Sequence, residues 1–211
     1  SALNKLVTSL KSLSYYPHLS KPKGVYMFIG SSGIGKSETA IQLSKIMKRH
    51  LIRLDMSEYS EYGSTSKIIG TSPGYVGYDQ TSMLINELTI HPHSILLLDE
   101  IDKAHRSVIH LFLQVFDEGV LKDSHQRIVN FKDVIIIMTT NVSFQNNMHL
   151  GFKKQNYSSK NLKEYFSEEF LNRIDEIIEF KRLSKKDLKK ILDIYSPVKL
   201  SDIQKDELLK D

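Results

Sequence analysis

The 211-residue chain is 40% hydrophobic and 26% charged, with ten glycines and five prolines, which excludes a disordered or fibrous polypeptide and leaves room for one sizeable core. It has no cysteine, which excludes a disulfide framework and thiolate metal ligation. A net charge of +4, from 29 basic against 25 acidic residues, is too small and scattered to imply a nucleic-acid partner, and no apolar run nears the roughly 18 residues of a membrane span.

The opening Ser1-Ala2-Leu3-Asn4-Lys5 lacks the basic start and apolar stretch of a signal peptide. Leu3, Leu6, Val7, Leu10 and Leu13 recur at helical spacing and predict an amphipathic helix over residues 1–13. Residues 14–24, with two prolines and a glycine, read as a connector. Residues 25–29 predict a buried strand, followed by a glycine-rich turn and a helix over residues 36–48. A second strand over residues 51–54 ends at Asp55, and residues 63–80, rich in glycine, are expected to be largely loop. A helix over residues 83–90 stops before His91-Pro92. Residues 94–98 predict a strand, and residues 105–118 a helix apolar on nearly every face. A hairpin over 120–131, an apolar strand over 134–139 and a polar excursion over 142–160 come next. A short strand over 176–180 and an amphipathic helix over 184–194 close the pattern. Five short apolar strands alternating with helices imply an α/β fold with a parallel five-stranded sheet flanked by helices. Ligands of such sheets bind beyond the carboxyl ends of the strands.

Polar residues after those strands carry the chemistry. Gly30-Ser31-Ser32-Gly33-Ile34-Gly35-Lys36-Ser37 matches G-x-x-x-x-G-K-[ST] between a predicted strand and a predicted helix, the context this phosphate-binding loop requires. Glycines let successive backbone N–H groups turn toward phosphate oxygens, and the helix N-terminus adds a favourable dipole. Lys36 is expected to reach the β- and γ-phosphates of ATP, and the Ser37 hydroxyl to ligate Mg2+. The run Ile95-Leu96-Leu97-Leu98-Asp99-Glu100 delivers two carboxylates at a strand end. Asp99 suits the coordination sphere of Mg2+, and Glu100 can polarise a water for attack on the γ-phosphate, which implies hydrolysis. Read alone, such a run is equally a helix cap. Asn141 ends the next strand, where its amide can orient the attacking water, or simply make a turn. Arg173 can stabilise phosphoryl charge in the transition state, or pair with Asp175 or Glu169.

Gly74-Tyr75-Val76-Gly77 sets an aromatic and a β-branched residue between glycines, and residues 70–80 contain no lysine or arginine. That suits contact with polypeptide rather than a phosphate backbone, with a local hydrophobic tuck as the alternative. The eight histidines form no convincing metal set: His91 and His93 flank Pro92, and His105 and His110 do not share a helical face.

Together, residues 30–37, Asp55-Met56-Ser57-Glu58-Tyr59, Pro73-Gly74-Tyr75-Val76-Gly77-Tyr78, residues 96–105, Leu113-Gln114-Val115 and residues 169–176 resemble the second AAA+ ATPase module of the Clp unfoldases. The resemblance runs over about residues 3–192. It implies an AAA+ P-loop NTPase fold, with the large ATPase domain in residues 1–183 and the start of an incomplete small helical domain in 184–211. Gly30, Ser31, Ser32, Gly33, Ile34, Gly35, Lys36 and Ser37 take the Walker A role by this resemblance, and Asp99 and Glu100 the Walker B role. Asn141 becomes sensor one, Arg173 an arginine finger acting on a neighbour's nucleotide, and Tyr75 and Val76 the pore loop. A homo-hexamer is implied, threading unfolded or tagged proteins through its central pore.

Leu150-Gly151-Phe152 falls where ClpA- and ClpC-type members carry an apolar-Gly-apolar peptide that docks the ClpP peptidase, so a protease-linked unfoldase is expected. A ClpB-like disaggregase and an AAA+ nucleic-acid motor are the alternatives. The chain departs from the family pattern where Thr81-Ser82 replaces a glycine pair and His125-Gln126 removes a glycine before Arg127. The Gly-Ala-Arg of sensor two is absent, and residues 196–211 match nothing in the pattern. Lysine bias with roughly one isoleucine in ten residues fits an AT-rich genome, hence a bacterial cytoplasm or the stroma of a plastid, whether apicoplast or chloroplast.

Overall fold

The computed structural model describes residues 2–13, 20–71, 82–142 and 158–195. The chain divides into two units, residues 1–180 and 181–211. The first unit contains, in chain order, α1 (Ala2–Leu13), β1 (Gly24–Ile29), α2 (Lys36–Met47), β2 (His50–Asp55), α3 (Thr65–Ile69) and α4 (Met83–Ile90). These are followed by β3 (Ser94–Asp99), α5 (Arg106–Glu118), β4 (Val120–Lys122), β5 (Ile128–Asn130) and β6 (Ile135–Thr140). The last elements are α6 (Ser158–Tyr165), α7 (Glu168–Leu171) and β7 (Glu176–Glu179).

Five strands form one parallel sheet in the order β2-β3-β6-β1-β7, and β4 and β5 pair antiparallel as the expected hairpin. The unbroken apolar runs explain the interior strands: all six residues of β1, β3 and β6 are buried. Successive side chains of a strand leave by opposite faces, so each strand feeds two cores. Met27, Leu96, Leu98, Ile136 and Met138 pack on one side with Phe112 and Phe116 of α5 and Phe170 of α7. Phe28, Leu97 and Ile137 pack on the other with Leu6 of α1 and Ala40 of α2. Tyr26 is buried in this second layer, and burial pushes its phenol up to about 12 against a hydrogen bond from the Ser9 hydroxyl. Register pairs Asp55 with Asp99 and Ile29 with Thr140, so the chain segments leaving β1, β2, β3 and β6 emerge along one edge.

Within residues 63–80, expected to be largely loop, α3 forms over Thr65–Ile69 and buries Ile68. Two sequence expectations need correction. The helix over 105–118 is amphipathic: Arg106, His110, Gln114 and Glu118 form an exposed stripe at four-residue spacing, while Val108, Phe112, Val115 and Phe116 are buried. The excursion ends earlier than residue 160, at the start of α6; residues 143–157 lie outside the described residues. His105 itself is the N-cap of α5, its ring accepting from the Ser107 N–H.

The second unit contains α8 (Lys185–Tyr195). Ser184 and Asp187 cap its start reciprocally: the Asp187 N–H donates to Ser184 Oγ, and the Ser184 N–H donates to Asp187 Oδ2, each at 3.2 Å. Among the described residues, no helix is long and apolar enough to cross a membrane.

Candidate functional site

The loop of residues 30–37 wraps from the end of β1 into α2. Gly30 has φ of 141°, and a Cβ there would lie 2.5 Å from the Phe180 carbonyl oxygen, so only glycine fits the turn. Gly35 is the N-cap of α2 and offers no side-chain hydrogen bond, which leaves the first N–H groups of the helix for an anion.

Lys36 is buried, and its ammonium donates to the carbonyls of Gly30 and Ser31, each at 2.7 Å, and to Asn141 Oδ1 at 3.0 Å. Burial lowers its pKa from the ordinary lysine value, while the carboxylates of Asp99, Asp102 and Glu100 act the other way. Asp99 is a junction of three donors. Ser37 Oγ at 2.7 Å and Thr139 Oγ1 at 2.6 Å donate to Oδ1, and Arg53 Nη2 donates to Oδ2 at 2.6 Å. The Thr139 hydroxyl also accepts the Glu100 N–H at 3.0 Å, tying the end of β3 to β6.

Glu100 has φ of 58°, a left-handed conformation uncommon for a side-chain-bearing residue. That backbone turn separates the directions of two consecutive carboxylates: Asp99 bonds Ser37, and Glu100 Oε1 accepts from Asn141 Nδ2 at 2.6 Å. The cleft so formed has a volume of about 490 Å³, within the range of small-molecule sites.

Of the residues singled out from sequence, Ser32, Gly33, Gly35, Lys36, Ser37, Asp99, Glu100 and Asn141 line this one cleft. Gly30 and Ser31 turn their carbonyls to Lys36. The Ile34 side chain packs beside Gly30, its Cδ1 lying 2.6 Å from where a Gly30 Cβ would stand. Arg173 does not line the cleft. It follows α7, and its Nε bonds Asp117 Oδ1 on α5. The partner is therefore neither Asp175 nor Glu169; Asp175 instead accepts the Val25 N–H at 2.7 Å. Tyr75, Val76, Leu150, Gly151 and Phe152 lie outside the described residues.

Sequence reasoning did not assign Glu38, Arg53, Asp55 or Thr139 to the site, and these also line the cleft. Asp55 ends β2 as Asp99 ends β3, in register, and that strand-end position was the available signal. The donor chemistry suits Mg2+: a hydroxyl and a carboxylate 2.7 Å apart are the hard oxygen ligands this ion prefers beside phosphate oxygens and water.

Residues 21–177 match the family AAA domain (Cdc48 subfamily). The chain belongs to that family. It is an AAA+ ATPase module of the Clp kind. It is 48% identical over 168 residues to the chaperone protein ClpB of Mycoplasma genitalium, a match covering 78% of this chain and 23% of that protein. To ClpE of Lactococcus lactis, an ATP-dependent Clp protease ATP-binding subunit, it is 43% identical over 183 residues, 82% of this chain and 24% of that one. A closed-state cryo-EM reconstruction of Hsp104 with ATPγS and FITC-casein superposes with a TM-score of 0.78 at 35% identity, covering 92% of this chain and 34% of that chain. The chain thus spans about a quarter of the length of the curated relatives it matches.

Proposed function

We propose that this module hydrolyses ATP and works as the motor of a Clp-type protein unfoldase. The observation that carries the reading is the hydrogen-bonded chain Lys36–Asn141–Glu100 across a cleft closed on one side by the glycine loop. ATP enters with its phosphates against the N–H groups of the loop, and Lys36 exchanges its carbonyl partners for phosphate oxygens. Ser37 and Asp99 are the residues that would hold Mg2+, which would supply charge neutralisation at the phosphates. Asn141 orients a water beside Glu100, which takes its proton as the water oxygen bonds to the γ-phosphorus. The bond from that phosphorus to the bridging oxygen breaks, leaving ADP and phosphate. Thr139 keeps Asp99 and Glu100 in fixed relation throughout.

Assembly, substrate and partner belong to the same reading. The module works in a homo-hexamer, with Arg173 reaching a neighbour's nucleotide and Tyr75 and Val76 gripping unfolded or tagged polypeptide in the pore. Residues 1–183 form the large ATPase domain, and 184–211 begin the small helical one. Leu150-Gly151-Phe152 docks a ClpP-type peptidase. A ClpB-like disaggregase without protease is supported equally by the relatives, since one is named a chaperone and the other a protease subunit. Both are bacterial, which supports a cytoplasmic setting; a plastid rests on composition alone.

The deciding experiment for the chemistry is Glu100→Gln in the full-length polypeptide. Retained ATP binding with lost hydrolysis supports the reading, and parental turnover refutes it.

A further inference from the structure

At the end of the sheet opposite the cleft, a second group of side chains converges. His50 opens β2, and its register partner on β3 is Ser94, three residues beyond His91, the C-cap of α4. That pairing brings His50 to the end of α4, where Glu87 and His91 stand one helical turn apart, the His91 N–H donating to the Glu87 carbonyl at 2.8 Å. His50 Nε2 lies 2.7 Å from Glu87 Oε2, and the rings of His50 and His91 stack with centroids 3.9 Å apart. One ligand atom from each of the three residues lies within 4.8 Å of the other two.

We propose that His50, Glu87 and His91 form a binding site for a borderline transition-metal cation of the Zn2+ class. An exposed histidine–carboxylate pair alone contributes little to stability and does not call for a second imidazole. One divalent cation satisfies both rings and the carboxylate together. The C-terminus of α4, where the carbonyl ends of the helix dipole gather, adds attraction for positive charge. Two imidazoles and one carboxylate select Zn2+, Ni2+ or Cu2+ over Mg2+, which separates this site from the oxygen ligands of Ser37 and Asp99. Tetrahedral Zn2+ needs ligand atoms roughly 3.3 Å apart, given bonds near 2.0–2.1 Å. None of the three side chains is fully buried, so the rings can rotate out of the stack to meet that distance. Solvent supplies the remaining ligand. A bound ion clips the start of β2, the strand that carries Arg53 and Asp55 to the cleft, to the end of α4.

The test is calorimetric titration of Zn2+ into the chelator-stripped full chain at pH 7.5 with excess Mg2+, with the visible spectrum of a Co2+ derivative as second readout. One saturable site is expected. His50→Ala, Glu87→Gln and His91→Ala should each weaken it about 10- to 100-fold or more, at least the cost of losing an outer-shell partner. His93→Ala, in the same turn, should bind like the parent. Acidification should weaken binding, because protons and metal compete for the same ligand atoms. Circular dichroism of each variant separates lost ligation from lost fold; where one variant unfolds, the other two decide. Absence of saturable Zn2+ binding, or affinity unchanged in the folded variants, overturns the site. Neither outcome bears on ATP hydrolysis, so this test and that of Glu100 fail independently.

Discussion

Asn141 holds Glu100 by a 2.6 Å hydrogen bond from Nδ2 to Oε1, and the same amide accepts from Lys36 through Oδ1. A single side chain after β6 therefore connects the lysine and the carboxylate to which the proposed mechanism assigns phosphate and water. The bond occupies one of the two carboxylate oxygens of Glu100. In the proposed mechanism, nucleotide that draws Lys36 toward its phosphates would disturb this chain and loosen the hold on Glu100.

From this follows the first expected outcome. Glu100→Gln keeps the amide contact and the phosphate cradle but cannot accept a proton. Turnover should fall about 10²- to 10⁴-fold, the range of a positioned general base, with ATP affinity near the parent's. Asn141→Ala should also lower turnover, while Lys36→Ala should raise the Kd for ATP. Nucleotide binding by fluorescence and phosphate release by a coupled assay separate the three.

Arg53 gives a metal-linked prediction. Its guanidinium bonds Asp99 Oδ2 at 2.6 Å and is half exposed, so it serves as countercharge to the carboxylate proposed to hold Mg2+. Arg53→Ala should lower the Mg2+ concentration for half-maximal ATPase, because the ion no longer competes with an arginine. A variant needing more Mg2+ than the parent would instead make Arg53 a contact to the nucleotide.

Arg173 is tethered to Asp117, and this contact holds its pKa above the ordinary arginine value, Asp117 contributing both the hydrogen bond and the charge. If Arg173 acts on a neighbour's nucleotide as proposed, its contact with Asp117 of α5 would fix the angle at which the guanidinium is presented. Arg173→Ala should cut ATPase of the assembled protein by about 10³- to 10⁵-fold, as expected for an arginine finger. Asp117→Asn should show a smaller loss with unchanged nucleotide affinity. ATPase that does not depend on protein concentration, or an unaffected Arg173→Ala, would return Arg173 to a structural ion pair.

What was legible in the sequence is what is local in the chain. Residues 30–37 carry loop, cap and lysine within one turn, and Asp99-Glu100 ends an unmistakable apolar strand. Arg53 and Thr139 were not legible as site residues, because their roles come from the lateral packing of β2, β3 and β6 rather than from neighbours in sequence. The cluster of His50, Glu87 and His91 was hidden for the same reason. His50 and Glu87 are 37 residues apart and meet only through strand register. The missing glycine before Arg127 was visible, and its cost now has a location: Gln126 occupies φ of 62°, where glycine is unstrained.

That turn has a compensation with a pH signature. Burial pushes the Asp123 carboxyl up, but N–H groups of Arg127 and His125 and the Arg127 guanidinium outweigh it, and the pKa ends below the ordinary value. A pKa lowered by folding stabilises the fold above the unfolded value, near 4, and that contribution disappears as pH falls through the folded value. Asp123→Asn should lose about 2 kcal/mol at pH 7, on the scale of hydrogen bonds to a charged group. The difference from the parent should shrink toward pH 3. Urea unfolding at both pH values measures it, and a difference that grows with acid would show the carboxylate to be destabilising.

The choice between a protease-linked unfoldase and a disaggregase falls on Leu150-Gly151-Phe152. In the proposed docking role, two apolar side chains flanking glycine would act as a short peptide ligand, anchored by one or two pockets on a partner. In the proposed hexamer each copy alone would bind weakly because ordering it costs entropy, and six copies would gain avidity by linkage. Deleting residues 150–152 should therefore abolish ClpP-dependent degradation of a tagged substrate while ATPase and unfolding continue. Tyr75→Ala should have the converse effect, sparing ATPase but stopping unfolding with or without peptidase. Degradation that survives the deletion would place Leu150 and Phe152 against their own domain, and a full-length protein that never stimulates ClpP yet recovers aggregated protein would decide for the ClpB-like reading.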